Sequence, residues 1–260
     1  MSDTIHGSIY DYPKYYELLF GSDWKAEYDF LRECFERYAK CEVSRVFEPA
    51  CGTGRLLIKL AQGGYNVGGN DLNPKAVDYC NARLQRHGYP ASVTVGDMAD
   101  FRLAKKVHAS FNTINSFRHL DSEQAAEAHL QCMANALTKG GLYILGIHLL
   151  PTQGERMETE SWTARRGNLQ VNSRMWSKEL DTRKRNEKLG MIMDVYTPTS
   201  HMQIVDEMNY RTYTAKQFEK LLATCPQFEV AALHDFCYDM DVHVEITPRL
   251  EDVVYVLRKK

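Results

Sequence analysis

Over the first 150 residues, short apolar runs that end in a carboxylate or a glycine turn alternate with longer stretches of helical period. Val46-Phe47 runs through Glu48-Pro49 into Ala50-Cys51-Gly52-Thr53-Gly54, and Arg55 to Leu60 then begins a helix. Tyr65 to Asn70 reads as a second short strand ending at Asp71, and Ala91 to Val95 as a third, closed by Gly96-Asp97-Met98. Phe111 to Asn115 reads as a fourth and Leu142 to His148 as a fifth. Asn73-Pro74 starts a helix that runs to about Arg86, stopped by His87-Gly88-Tyr89-Pro90. Asp121-Ser122-Glu123-Gln124 has the form of a capping box for a helix reaching about Thr138, with Lys139-Gly140-Gly141 as its stop. Strands alternating with helices predict a parallel α/β sheet covered on both faces.

The rhythm changes after residue 150. Leu169 to Ser177 alternates loosely, Leu189, Met191, Met193 and Val195 line one face of a return strand, and His201 to Tyr213 suggests one or two strands more, with a turn near Asp206-Glu207. The spacing predicts a small antiparallel β cap over residues 151–213, inserted after the fifth strand. Arg183-Lys184-Arg185, flanked by Glu179, Asp181 and Glu187, reads as the solvated tip of a hairpin. The α/β order then resumes. Thr214-Ala215-Lys216-Gln217 caps a helix through Leu222, and Phe228 to His234 and Asp252 to Arg258 are a sixth and a seventh strand. The expected division is an N-terminal helical segment over 1–40, a core over 41–150, the cap over 151–213 and a completion of the core over 214–260.

Composition narrows the function more than the fold. The chain has 32 basic and 34 acidic side chains, so it lacks the basic excess common in proteins that act on nucleic acid. No run of eighteen apolar residues appears, and the polar start Met1-Ser2-Asp3-Thr4 lacks the regions of a signal peptide, so the expected location is the cytoplasm. The seven cysteines include no Cys-x-x-Cys pair and suit reduced thiols. Cys51 reads as packing within its turn rather than as a nucleophile. No His, Cys and Asp spacing suggests a metal site.

The chemistry concentrates between Glu48 and Gly54. Glycines at 52 and 54 let the backbone approach a ligand, as nucleotide-type cofactor sites require. A dinucleotide fingerprint needs a third glycine at 57, where Leu57 stands. Glu48 would repel a pyrophosphate but suits an ammonium, a sulfonium or an ordered water. Glu48, the glycines, Asp71 and Asp97 each end a successive predicted strand, where open parallel sheets bind ligands. Asp71 is placed to accept hydrogen bonds from both hydroxyls of a ribose.

The stretch from Val46 to Gly54 resembles motif I of the class I S-adenosylmethionine-dependent methyltransferases, with Ala50 in place of the first motif glycine. The resemblance covers residues 43–150 most specifically. It implies a Rossmann-like seven-stranded sheet whose last strand is antiparallel, and S-adenosylmethionine as cofactor with S-adenosylhomocysteine as product. It places the methionine end of the cofactor at Glu48, Ala50, Cys51, Gly52 and Gly54, the ribose at Asp71 and Leu72, and the adenine at Asp97 and Met98, with Asn115 also among the cofactor-binding residues. Tyr15 to Phe20, Asp23-Trp24 and Glu27 to Leu31 resemble the N-terminal lid of aminosugar and amino-acid N-methyltransferases, so that Tyr16 and Trp24 would cover the cofactor. The alternative for these aromatics is core packing.

The acceptor should meet the methyl group at the loop Asn115-Ser116-Phe117-Arg118-His119-Leu120. This loop lacks the Asn/Asp-Pro-Pro-Tyr/Phe sequence of enzymes that methylate exocyclic base nitrogens. His119 is the first candidate for a general base, since an unperturbed imidazole titrates near working pH; the alternative is a polar loop histidine without a chemical role. His148 and His201 follow. The cap supplies substrate contacts, a homodimer surface or neither. The function expected from sequence is methyl transfer to a small-molecule acceptor, an amine nitrogen ahead of a hydroxyl. A non-catalytic S-adenosylmethionine-binding module and an RNA methyltransferase are the alternatives.

Overall fold

A computed structural model of the protein describes residues 3–260. Seven strands form the main sheet: β2 (Arg45–Pro49), β3 (Asn66–Asp71), β4 (Val93–Val95), β5 (Val107–Asn112), β6 (Leu137–His148), β11 (Phe228–His234) and β12 (Asp252–Lys259). They lie in the order β11-β12-β6-β5-β2-β3-β4. β2 to β6 pair in parallel, and β12 slots antiparallel between β6 and β11. The chain runs outward from β2 to β4, then returns to β5 on the other side of β2, which opens a crevice at the carboxyl ends of β2 and β5.

Helices cover both faces. On one, α2 (Lys25–Tyr38), α3 (Arg55–Gln62) and α4 (Pro74–Arg86) bury Phe30, Leu31, Leu57 and Leu84 against Val46, Phe111, Ile144 and Val254. On the other, α5 (Glu123–Ala136) and α6 (Ala215–Ala223) bury Leu130, Met133 and Phe218 against Phe47, Tyr143 and Tyr255. Inner strands covered on both faces read as apolar runs rather than alternations, and β12 is buried from Val253 to Leu257.

The second sheet contains β7 (Thr159–Arg166), β8 (Leu169–Asp181), β9 (Asn186–Tyr196) and β10 (His201–Arg211), with β1 (Asp3–His6) added in parallel beside β10. Its inner face packs on α1 (Pro13–Phe20) through Leu18, Leu19, Leu189, Met191, Met193 and Ile204.

Several boundaries differ from the sequence reading. β5 begins at Val107 and ends at Asn112, before the expected Thr113-Ile114-Asn115. Its polar residues disguise it: Ser110 Oγ donates to the Phe47 carbonyl at 2.6 Å, and His108 Nδ1 accepts from Ser44 N–H at 3.0 Å. α5 ends at Ala136, and residues 137–141 already belong to β6; the left-handed Gly140 interrupts it and lets the chain pass Lys40, and regular pairing resumes with Leu142 opposite Ala109. No turn occurs at Asp206-Glu207, because β10 pairs with β9 without interruption. The N-terminal segment is helical only in part, since Asp3–His6 form a strand. β7 escapes the pattern because an edge strand buries only one face, here Glu160, Trp162 and Ala164. At the hairpin tip, Arg185 is not solvated. Its guanidinium lies over Tyr213 and pairs with Glu123 at 2.7 Å, tying the cap to the start of α5.

Candidate active site

The turn after β2 owes its shape to backbone conformations that side chains disfavour. Gly52 (φ 53°), Gly54 (φ 69°) and Ala50 (φ 51°) are all left-handed, and Ala50 adopts this conformation despite its Cβ. A Cβ on Gly52 would meet no protein atom within 4 Å, so the space beside it is open cavity. One on Gly54 would strike Cys80 Sγ, so that glycine serves packing against α4. Cys51 is buried under the turn, with its thiol pushed up by the neighbouring Cys80 and by burial.

Asp71, at the end of β3, holds this turn. Its Oδ2 accepts from Gly52 N–H and its Oδ1 from Asn73 N–H, both at 2.8 Å. Burial raises the Asp71 carboxyl, and these two amides oppose the rise. Each oxygen keeps further lone-pair capacity toward the cavity. Glu48 Oε2 is closed off from solvent and has no hydrogen-bond partner among the described residues. Burial pushes the Glu48 carboxyl well up, against the pull of Arg55. An orphaned carboxyl oxygen beside an open glycine turn fits a cationic ligand group.

The N-terminal segment is clamped over the turn by buried ion pairs. Glu17 on α1 accepts from Thr53 Oγ1 at 2.7 Å and pairs with Arg83 at 2.6 Å, while Glu27 on α2 pairs with Arg55. The 3-10 turn Ile9–Asp11 adds a tie at the other end, with Ile9 N–H donating to Asp206 at 2.9 Å.

These elements enclose a cavity of about 400 Å³. Ala50, Gly52, Asp71, Leu72, Met98 and Asn115 wall it on the core side, and Tyr16 closes it from α1. Glu48 and Cys51 line a smaller adjoining space behind Tyr16. Trp24, Gly54 and Asp97 are not among the walls. Trp24 packs on Tyr28 with Lys59 4.1 Å above its ring. Asp97 instead braces its own loop, accepting from Ala99 N–H at 2.8 Å through its side chain and from Asn70 Nδ2 at 3.1 Å through its carbonyl.

The opposite wall comes largely from residues that the sequence did not single out as site candidates: Tyr10, Glu160, Met175, Met191, Met208 and Tyr210. The aromatic cluster from Tyr10 to Tyr16 was the one local signal for Tyr10. His119 faces this space, with its Nε2 3.0 Å from Tyr10 Oη. Desolvation and then the Arg118 charge pull the His119 imidazole down to about 4, so it is neutral at neutral pH. His148 also lines the cavity, whereas His201 stacks on Tyr196 and pairs with Asp194 within the cap sheet.

Residues 46–141 match the family model described as a methyltransferase domain. This is the class I methyltransferase fold. The chain superposes on an S-adenosylmethionine-dependent methyltransferase from Clostridium acetobutylicum ATCC 824 with a TM-score of 0.77, at 18% identity over 95% of this chain and 97% of that one. It superposes on CalS10 with S-adenosylmethionine bound, an amino pentose methyltransferase from Micromonospora echinaspora, with a TM-score of 0.73, at 18% identity over the full length of both. In sequence it is 27% identical over 145 residues to the dTDP-3-amino-3,4,6-trideoxy-alpha-D-glucopyranose N,N-dimethyltransferase of Streptomyces venezuelae. That alignment spans 56% of this chain and 58% of the curated relative. In this core, the glycine turn and Asp71 occupy the crevice that the sheet order creates. No group of residues among those described could hold a metal ion, and no described helix is long and apolar enough to cross a membrane.

Proposed function

We propose that the chain is an S-adenosylmethionine-dependent methyltransferase that methylates an amine nitrogen on a small, sugar-type acceptor. The observation that carries this reading is the single cavity shared by the glycine turn, Asp71 and the cap. One wall has the groups a sulfonium nucleoside needs; the other has the aromatic, methionine and carboxylate side chains that suit a polar organic amine. The amino-sugar N,N-dimethyltransferase and the amino pentose methyltransferase among the similar proteins support nitrogen over oxygen.

In this reading Asp71 holds the ribose diol, Leu72 and Met98 flank the adenine, Glu48 faces the ammonium of the methionine moiety, and Tyr16 covers the site. When bound, the cofactor supplies an activated methyl group for in-line displacement. The protein's part is alignment and exclusion of water, since a neutral amine attacking a sulfonium creates no new net charge. Association of two copies through the cap belongs to the same proposal.

Calorimetry with S-adenosylhomocysteine should show binding and a raised melting temperature. Radiolabelled methyl transfer should then appear on nucleotide-linked amino sugars and be absent from their hydroxyl counterparts. No binding at millimolar ligand would overturn the cofactor assignment, and label on the hydroxyl series alone would move the reaction to oxygen.

A further inference from the structure

Beside the main cavity a second, more polar pocket opens beneath the cap, and the two share a wall that includes Asn115, His148, Glu160 and Tyr210. His148 is the last residue of β6. Because β12 runs antiparallel beside β6, Asp252 stands directly opposite His148 in the register, and its carboxylate pairs with His148 Nδ1. The His148 main-chain N–H donates to Asn115 Oδ1 at 2.7 Å, and Phe236 packs 4.8 Å from the imidazole. The ring is thus held by Asp252 and Phe236, and its backbone by Asn115. An Nδ1–H donated to a carboxylate leaves the lone pair on Nε2, and among the described residues Nε2 has no partner. Glu160, on β7, lines the same wall, and its carboxylate is likewise without a hydrogen-bond partner among the described residues.

We propose that His148 takes the proton from the acceptor's ammonium, that Asp252 positions the imidazole for this, and that Glu160 draws the ammonium to it. The assignment rests on the amine-acceptor reading above. An alkyl ammonium has no lone pair to offer, so it must lose a proton before it can attack. The N–H bond breaks, its electron pair stays on nitrogen, and the proton passes to His148 Nε2, giving an imidazolium compensated by Asp252. The freed lone pair then forms the N–CH3 bond as the C–S bond breaks, with the C–S pair going to sulfur. The imidazolium returns its proton to solvent after release. His119 suits this step less, because its Nε2 already meets Tyr10 and the adjacent Arg118 opposes a positive ring. The charged groups around His148 are Asp252 at the start of β12, Glu251 just before it, Glu160 on β7, Arg118 in the 3-10 turn Ser116–His119, and Arg156. Both arginines are already engaged with Glu187, so the balance around the ring is acidic.

The test compares His148→Asn, Asp252→Asn and His119→Asn, with nucleotide-linked amino sugars as acceptor and saturating S-adenosylmethionine. His148→Asn should lower kcat about 100-fold at neutral pH, and the deficit should shrink severalfold as the pH rises to about 9.5, where more of the amine arrives neutral. Asp252→Asn should show a smaller deficit with the same pH dependence, and His119→Asn a deficit that does not change with pH. Independently, histidine-selective nitrogen NMR of the S-adenosylhomocysteine complex should show the neutral form of His148 carrying its proton on Nδ1, a preference weakened in Asp252→Asn. A His148→Asn deficit of equal size at every pH, or an Nε2-protonated tautomer in the wild type, would overturn the proposal while leaving amine methylation standing. Cofactor binding without methylation of any amine by the wild type would overturn the amine reading and this proposal with it.

Discussion

Asp71 carries two duties that a sequence motif assigns as one. It lines the cavity, where the proposed role is to hold the ribose, and it pins the glycine turn through Gly52 N–H. Asp71→Ala should therefore lower S-adenosylhomocysteine affinity by about 1.5–3 kcal/mol and also cost about 1–3 kcal/mol of stability, because two amides lose their acceptor. Calorimetry and denaturant unfolding on the same variant measure both, and an unchanged affinity would remove Asp71 from the cofactor site. Ala50 shows the opposite economy. Its left-handed backbone is strained by a Cβ that glycine lacks, and only part of that relief is offset by the freer unfolded chain. Ala50→Gly should stabilise the protein by about 0.5–1 kcal/mol, read as a higher denaturant midpoint with unchanged slope.

Elements meet the site through buried polar links as well as apolar contact. α5 reaches the Met98 loop through His129, whose ring is buried, with Nδ1 2.8 Å from the Met98 carbonyl and Nε2 2.7 Å from Tyr143 Oη. Both bonds are satisfied by the neutral ring, with Nδ1–H donating and Nε2 accepting from the phenol. Burial pulls this imidazole down to about 4, against the opposing effects of the Met98 carbonyl and Asp97. Since the folded value lies below the unfolded one of about 6.5, the contribution is fully present above pH 6.5 and is lost as the pH falls toward 4. The loss should reach about 3 kcal/mol at the low end. His129→Gln should be less stable at neutral pH, and its disadvantage should narrow between pH 6.5 and 4. A constant gap across that window would mean that the ring is not held neutral.

At the scale of the molecule, the cap and the N-terminal segment form one body. Ile9, Leu18 and Leu19 share a core with β8, β9 and β10, Phe20 packs on Trp162, and β1 is a strand of the cap sheet. From sequence the cap looks removable without harm to cofactor binding, since the glycine turn, Asp71 and Asp97 all lie outside it. The structure predicts otherwise. Replacing residues 151–213 by a short linker would strip the apolar face of α1 and leave Tyr16 unsupported, so S-adenosylhomocysteine affinity should fall at least tenfold, about 1.4 kcal/mol, in addition to the loss of turnover. Calorimetry on the folded truncation checks this, and full affinity would show that the lid stands without the cap.

The sequence by itself determined what depends on neighbours along the chain. Gly52 and Gly54 announce a turn that exposes backbone, Thr214 with Gln217 makes the capping box that starts α6, and the alternation from Leu189 to Val195 marks the buried face of β9. These follow from backbone sterics, capping and side-chain period, which act over a few residues. Tertiary structure alone decided which distant residues face one another. Asp252 meets His148 because an antiparallel strand inserts beside β6, Glu160 reaches the cavity from an edge strand with a weak pattern, and Asp3–His6 join a sheet built more than 150 positions later. Trp24 shows the same limit from the other side, since an aromatic near the right place in the chain packs outside the cavity. Such pairings are selected by the burial and hydrogen bonding of the whole sheet, and no local stretch of sequence contains those energies.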